Sequence, residues 1–242
     1  MKYGEKHFDL NFEHKNVKII SSLSSPKLKR EEEILKYAIE NPIDSPRLKD
    51  IVKPDEDVCI IVPDVTRLWQ KPSVYLPYVI KELEEAGVKD DNIHFICALG
   101  THRKQNEEEH KLIMGEDLFN RFEIIDHDCR DKDNLQYVGT TSFGTEVYVN
   151  KLALQCKHII LTGGIVFHDI AGFGGGRKAI LPGISSYETV MQNHSLSLNP
   201  NGPGSNPKVR TALMDGNPFS EDMLEAAKFV NPSFLFNVIL DS

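Results

Sequence analysis

The sequence predicts an α/β fold of Rossmann-like type, a mostly parallel sheet with helices on both faces and small β-hairpin additions. Three observations carry this. Five short apolar runs rich in β-branched residues, at 58–62, 92–99, 122–126, 157–161 and 234–240, suit strands buried on both faces. Helical patterns bounded by proline entries and glycine exits lie between them. Strand and helix alternate along the chain, which argues for crossover units and places ligands at loops following strand C-termini.

In chain order, residues 6–12 with 17–20 read as two short strands joined by a turn. A helix over 31–40 stops before Pro42, and the strand 58–62 follows. A helix over 73–85 is entered through Pro72 and closed by Gly87, ahead of the strand 92–99. A helix over 107–114 ends at Gly115 and leads to the strand 122–126. Residues 136–140 and 146–150 read as a second hairpin, before the strand 157–161 and a helix over 186–193. The Pro- and Gly-rich stretch 199–207 is a long loop, followed by a helix over 218–229. The strand pattern 234–240 stops two residues before the last residue, Ser242, which is expected of a domain boundary rather than a natural end. No internal repeat or low-complexity tract interrupts this order.

With 242 residues, 40% hydrophobic and 26% charged, the chain has ordinary globular composition. Thirty-six acidic against 28 basic residues leave a net charge of −8, which gives no electrostatic footprint for nucleic acid or anionic membrane. An anionic ligand therefore needs a local basic site. Cys59, Cys97, Cys129 and Cys156 form no C-x-x-C pair and read as reduced, buried thiols. Residues 1–9 are polar without an apolar signal core, and no apolar run approaches a membrane span, so a soluble cytoplasmic protein is expected.

Three segments could carry chemistry. Pro63-Asp64-Val65-Thr66-Arg67 directly follows the strand 58–62; Asp64 and Arg67 could hold a hydroxyl and an anion, or pair with each other to stabilise the loop. Leu99-Gly100-Thr101-His102-Arg103 follows the strand 92–99, where His102 is either a general base beside the crevice or an ordinary surface histidine. The densest segment places six glycines between Gly163 and Gly176, together with His168, Arg177 and Lys178, and reads as backbone brought close to a ligand.

As a phosphate-binding P-loop this segment fails, because Arg177 and Ala179 stand where glycine and a hydroxyl are needed. A dinucleotide fingerprint over Gly174, Gly176 and Ala179 is a weak match. Lys178, among apolar and glycine residues, is either an amine of lowered pKa usable as a nucleophile or attachment point, or a phosphate-pairing lysine. His194, at the end of the helix 186–193, is either a cap or a metal ligand. Histidines 7, 14, 94, 110, 127 and 158 are assigned to surface or structure.

Taken together, Asp64-x-x-Arg67, Gly100-Thr101-His102-Arg103, the block from His168 through Arg177-Lys178 to Pro182-Gly183, and Asn193-His194 resemble the nickel-dependent lactate racemase family. The resemblance covers that family's N-terminal domain, so that residues 1–242 would be a single cofactor-binding domain whose C-terminal companion lies outside this chain. It implies a nickel-pincer nucleotide, a pyridinium mononucleotide with sulfur arms, joined to Lys178 and carrying nickel with His194 as the protein ligand. It implies His102 and His168 as the two acid/base residues, and Asp64, Arg67, Gly175, Gly176 and Arg177 as cofactor-binding. A 2-hydroxy acid would be racemised or epimerised by proton-coupled hydride transfer, with separate maturation enzymes supplying the cofactor. A chain made without them would be apo, and the domain alone is expected to be inactive. Family members often have proline after Asp-x-x-Arg; here Leu68 and Trp69 follow, which bears on whether lactate is the substrate. Two other classes compete. One is a non-catalytic nucleotide- or anion-binding module using Arg67, Arg177 and Lys178; the other is a zinc hydrolase on His102, His168 and His194, disfavoured for want of an accompanying Asp or Glu motif.

Overall fold

The computed structural model describes residues 2–3, 6–13, 16–18 and 29–240. Contacts divide the chain into residues 1–29 with 241–242, and residues 30–240. In the first unit, β1 (Lys2–Tyr3) pairs antiparallel with β2 (Lys6–His7). The expected pairing of 6–12 with 17–20 is not what forms. Residues 8–12 and 17–18 are outside any strand, and Ile19 and Ile20 lie outside the described residues. Pairing with the segment just before it closes a shorter loop at less entropic cost.

The second unit is built on a five-stranded, all-parallel sheet in the order β11-β8-β3-β4-β5: Phe234–Val238, His158–Gly164, Val58–Pro63, Ile93–Ala98 and Ile124–Asp126. Alternation along β3 sorts the core into two halves. Val58, Ile60 and Val62 face a cluster completed by α1 (Glu31–Glu40), α2 (Leu48–Ile51), α3 (Pro72–Glu85), α4 (Glu107–Met114) and α5 (Glu116–Arg121). Cys59 and Ile61 face the other, completed by α6 (Lys151–Gln155), α7 (Tyr187–Ser195) and α8 (Pro218–Val230). The antiparallel hairpin of β6 (Leu135–Thr140) and β7 (Glu146–Asn150) adds Val147 and Val149 to that second half. All four cysteines are free and buried.

The longer helices begin where their caps dictate. Asn106 accepts from Glu109 N while Glu109 reaches back to Asn106 N at 2.9 Å, a reciprocal cap for α4. Ser186 caps α7 through Thr189 N, and Asn217 caps α8 ahead of Pro218. Of these helices, α7 carries His194 and so sets the position of one candidate site residue.

Candidate active site

Chain order runs outward from β3 in both directions, to β4 and β5 on one side and to β8 and β11 on the other. A topological switch therefore lies between β3 and β8, where the loops leaving their C-termini diverge and open a crevice. A cleft of about 430 Å³ occupies that place, lined by residues just beyond β3, β4 and β8. Asp64, Arg67, His102, His168, Gly175, Gly176, Lys178 and His194 all line it.

One wall is a closed hydrogen-bond network. Asp64, 4% exposed, caps the 3-10 turn Val65–Gln70; its Oδ1 accepts from Thr66 N at 2.7 Å and from the Thr66 hydroxyl. Its Oδ2 accepts from His102 Nδ1 at 2.6 Å. With Nδ1–H committed to a carboxylate, the Nε2 lone pair of His102 is left free, the tautomer a general base needs. Asp64 and Arg67 do not pair: Arg67 Nη1 donates instead to Thr66 Oγ1 at 2.9 Å. Gln105 ties the two loops together, since its Oε1 accepts from Val65 N at 3.0 Å and its Nε2 donates to the Arg103 carbonyl at 3.1 Å. Gln105 N donates to Asp126 Oδ2 at 2.7 Å, and His110 Nε2 donates to Asp126 Oδ1 at 2.9 Å, which anchors this wall to the edge strand β5.

The opposite wall is built from the glycine-rich segment. Beyond β8 the chain makes a short antiparallel ribbon, β9 (Phe167–His168) with β10 (Gly172–Phe173), and then the 3-10 turn Gly176–Ala179. Several of these glycines answer to the protein's own packing. A Cβ at Gly172 would come within 2.2 Å of the Leu213 carbonyl oxygen, and one at Gly164 within 2.8 Å of Gln70 Cγ. Gly175, at φ +78°, would bring a Cβ within 3.2 Å of the Gly164 oxygen.

Lys178 Nζ donates to His168 Nε2 at 3.0 Å. Burial pulls the Lys178 ammonium down to about 8, with the Arg67 and Arg177 guanidiniums adding to the effect. His168 lies below the ordinary histidine value, through burial first and the Lys178 charge second. While the ammonium occupies Nε2, the ring proton sits on Nδ1, 2.9 Å from Asp169 Oδ1. His168 Nδ1 also lies 3.2 Å from Ala171 N, so loss of the ammonium proton opens the other tautomer. His194 Nδ1 donates to the Val190 carbonyl at 2.8 Å, which leaves the Nε2 lone pair uncommitted, and burial lowers its pKa.

Arg177 does not line the cleft. Its Nη2 donates to the Ala171 carbonyl at 2.8 Å and to Ser220 Oγ at 2.9 Å, stapling the glycine-rich segment to α8.

Residues 3–205 match the model of the lactate racemase N-terminal domain. The chain belongs to the lactate racemase N-terminal domain family. It is 38% identical over 213 residues to the lactate racemase of Thermoanaerobacterium thermosaccharolyticum, covering 88% of this chain and 48% of that protein. It is 34% identical over 212 residues to the lactate racemase of Lactiplantibacillus plantarum, covering 87% and 48%. The chain thus spans about half the length of the curated relatives it matches. The solved lactate racemase apoprotein from T. thermosaccharolyticum superposes with a TM-score of 0.80 at 36% identity, over 87% of this chain and 49% of that one. A Thermotoga maritima protein of known structure shares the fold, with a TM-score of 0.64 at 21% identity over 87% and 50%.

Two residues of the chain enter its candidate site without having stood out in the sequence. Gln105 is one, because its partners come from other loops. Gln70 is the other: it lines the cleft, is 6% exposed, and its Oε1 has no hydrogen-bond partner among the described residues. An unpaired buried polar atom of this kind costs about 1–3 kcal/mol. Trp69, 40% exposed, is also on the cleft wall.

Proposed function

We propose that this chain is the cofactor-bearing half of a racemase or epimerase for a 2-hydroxy acid, lactate or a relative of it, dependent on a nickel-pincer nucleotide. One observation carries the reading: an amine of lowered pKa, Lys178, lies 3.0 Å from a histidine in a cleft that two further histidines and a glycine backbone line. The donor set fits the group. Lys178 is partly neutral near pH 8 and would supply the amine that condenses with a thiocarboxyl arm, the thioamide C–N bond forming as water leaves. His194 has the tautomer of a metal ligand, its second nitrogen held by Val190. Among the described residues no three His, Cys, Asp or Glu side chains converge to hold a metal. A nickel ion here would take His194 from the chain and its other ligands from the nucleotide's arms.

When bound, the pyridinium and nickel supply an electrophilic ring carbon that takes a hydride and returns it. The need for such chemistry follows from the substrate, because the C2 proton of a 2-hydroxy acid is far too weakly acidic for histidine to remove. His102 Nε2 takes the hydroxyl proton of one enantiomer, with Asp64 steadying the imidazolium that results. His168 Nε2 serves the mirror image. Attachment of Lys178 as an amide-type nitrogen removes the ammonium that otherwise occupies and disfavours this base. Arg67, half-buried on the Asp64 wall, holds the substrate carboxylate. Arg177 acts at one remove, by fixing the segment that bears Lys178.

The competing anion-binding module needs Arg67, Arg177 and Lys178 as one cradle, and the turning of Arg177 away from the cleft weighs against it. The second half of the family's proteins would complete the substrate site, so this chain alone is inactive on lactate; the maturation enzymes would act in the cytoplasm. No described helix is long and apolar enough to cross a membrane. The test is intact-mass analysis after coexpression with the maturation enzymes. An adduct on Lys178 with stoichiometric nickel is the expected result, and an unmodified chain that binds nucleotides reversibly would replace this reading with the module.

A further inference from the structure

Gln70 is a buried side chain on the cleft wall for which the mechanism above has no use, and its Oε1 has no hydrogen-bond partner among the described residues, unlike Thr162, which donates to the Ile61 carbonyl. Its surroundings are built to admit it. It leaves the 3-10 turn after β3 and lies against the end of β8, where a side chain at Gly164 would collide with its Cγ and Cδ at 2.8 and 2.9 Å. Thus Gly164 is bare because Gln70 fills the space. A hydrophobic residue of similar size would fill it equally and bury no orphaned oxygen. A buried carboxamide without a partner, at the wall of an open cleft, points to a partner that arrives with the ligand.

We propose that Gln70 is a ligand-reading residue whose carboxamide pairs with a hydroxyl group of the molecule held in the cleft. A hydroxyl both donates and accepts, so it suits either end of the carboxamide; the oxygen, buried as it stands, meets the ligand once the amide turns over. Two ligands of the proposed racemase carry such a group, the ribose of the nucleotide and the 2-hydroxy acid, and the inference rests on that reading of the cleft. It goes beyond it in assigning to Gln70 the discrimination between hydroxylated ligands and their deoxy counterparts. Sites that leave a polar group unpaired reject the analogue lacking its partner, which makes the effect measurable.

The experiment is calorimetric titration of the 242-residue chain and its Gln70→Met and Gln70→Glu variants. One arm uses nicotinic acid mononucleotide against its 2′-deoxy and 3′-deoxy forms; the other uses lactate against propionate with the mononucleotide present. In the wild type, removal of one hydroxyl weakens binding about tenfold in one arm, which identifies the source. In Gln70→Met the two members of that pair bind alike, while Gln70→Glu, which keeps an acceptor, retains the preference. Gln70→Met also melts no lower than the wild type, as a purely structural glutamine would not allow. Absence of a hydroxyl preference in both arms, its persistence in Gln70→Met, or a lower melting point of that variant overturns the proposal. If the folded wild type binds neither mononucleotide nor hydroxy acid, or binds them without regard to the hydroxyl, this inference falls, whereas the racemase reading stands or falls separately by the adduct on Lys178.

Discussion

The two walls of the cleft differ in how completely their polar groups are paired. On the β4 side, each Asp64 oxygen is occupied, His102 is locked in one tautomer, and Gln105 and Asp126 bind the supporting loops to the sheet. On the β8 side, Lys178 is held below its ordinary pKa, His168 has two competing tautomers and Gln70 has an unpaired oxygen. A finished network suits a group that must present one lone pair in one direction at every turnover. An unfinished one suits a surface completed by something that binds to it. The contrast teaches that two halves of a site can be told apart by satisfaction of their polar groups, before any ligand is seen.

The sharpest way to break this comparison is at the unfinished wall. Lys178→Arg keeps the positive charge but not the nucleophilic amine, so covalent adduct should vanish from the mass spectrum while anion binding persists. An adduct surviving on that variant would show that the tether is elsewhere. At the finished wall, Asp64→Asn should leave the fold intact and lower turnover of the completed racemase by about 10²–10⁴-fold, the range of general acid–base contributions. Because the two enantiomers are equal in energy, kcat/KM must fall equally from either side; polarimetry from each pure enantiomer measures this. A loss under tenfold would mean that the Asp64–His102 pair is not what prepares the base.

Smaller effects sharpen the picture. Lys178 has a folded pKa of about 8 against an unfolded value of 10.5, so the unfolded chain binds more protons between these limits. Stability from this group is therefore lowest below pH 8 and rises as pH climbs toward 10.5, by a total on the order of 3 kcal/mol. Denaturant melts of the wild type minus Lys178→Met should show that rise, and a flat difference would mean the amine is well solvated. His168 and His194 have a consequence of the same sign at the acid end. Both are held below the usual histidine value, so the folded state loses stability as pH falls through about 6.5. The smallest change is Gln105→Ala, which should cost about 1 kcal/mol of stability and loosen the Asp64–His102 pair. Denaturant unfolding measures the first effect, and weakening of the hydrogen-bonded Nδ1 proton resonance of His102 in the NMR spectrum reports the second.

The sheet was legible because β3, β4 and β8 are buried on both faces, and continuous apolar runs betray such strands. Helices α1 and α4 begin and end where expected, since Pro42 and Gly115 punctuate them. The short helices α2, α5 and α6, of four, six and five residues, went unseen because two turns or fewer leave no periodicity to detect. In the site, each candidate except Arg177 stands on the cleft because each closely follows a strand, a turn or a capped helix. What the sequence could not convey was pairing. Asp64 and His102 are 38 residues apart, and nothing local announces that one orients the other. Arg177 adjoins Lys178 yet turns the other way, since successive residues of a tight turn diverge.

Gly183 joins the two walls through its own backbone: its N–H donates to the Lys178 carbonyl at 3.0 Å, and its carbonyl accepts from Gly100 N at 2.9 Å. Both peptide groups of one residue are thus spent on connecting the segment that bears Lys178 to the loop that bears His102. A side chain at Gly183 would meet the Ala179 oxygen at 2.2 Å, so the junction admits no substitution that preserves it. The gap between Lys178 and His102 is then set once, by main chain. Other side chains of the cleft take no part in this joint. Trp69 and Val166, 40% and 47% exposed on the cleft wall, are free to change size without altering the gap across which the chemistry runs.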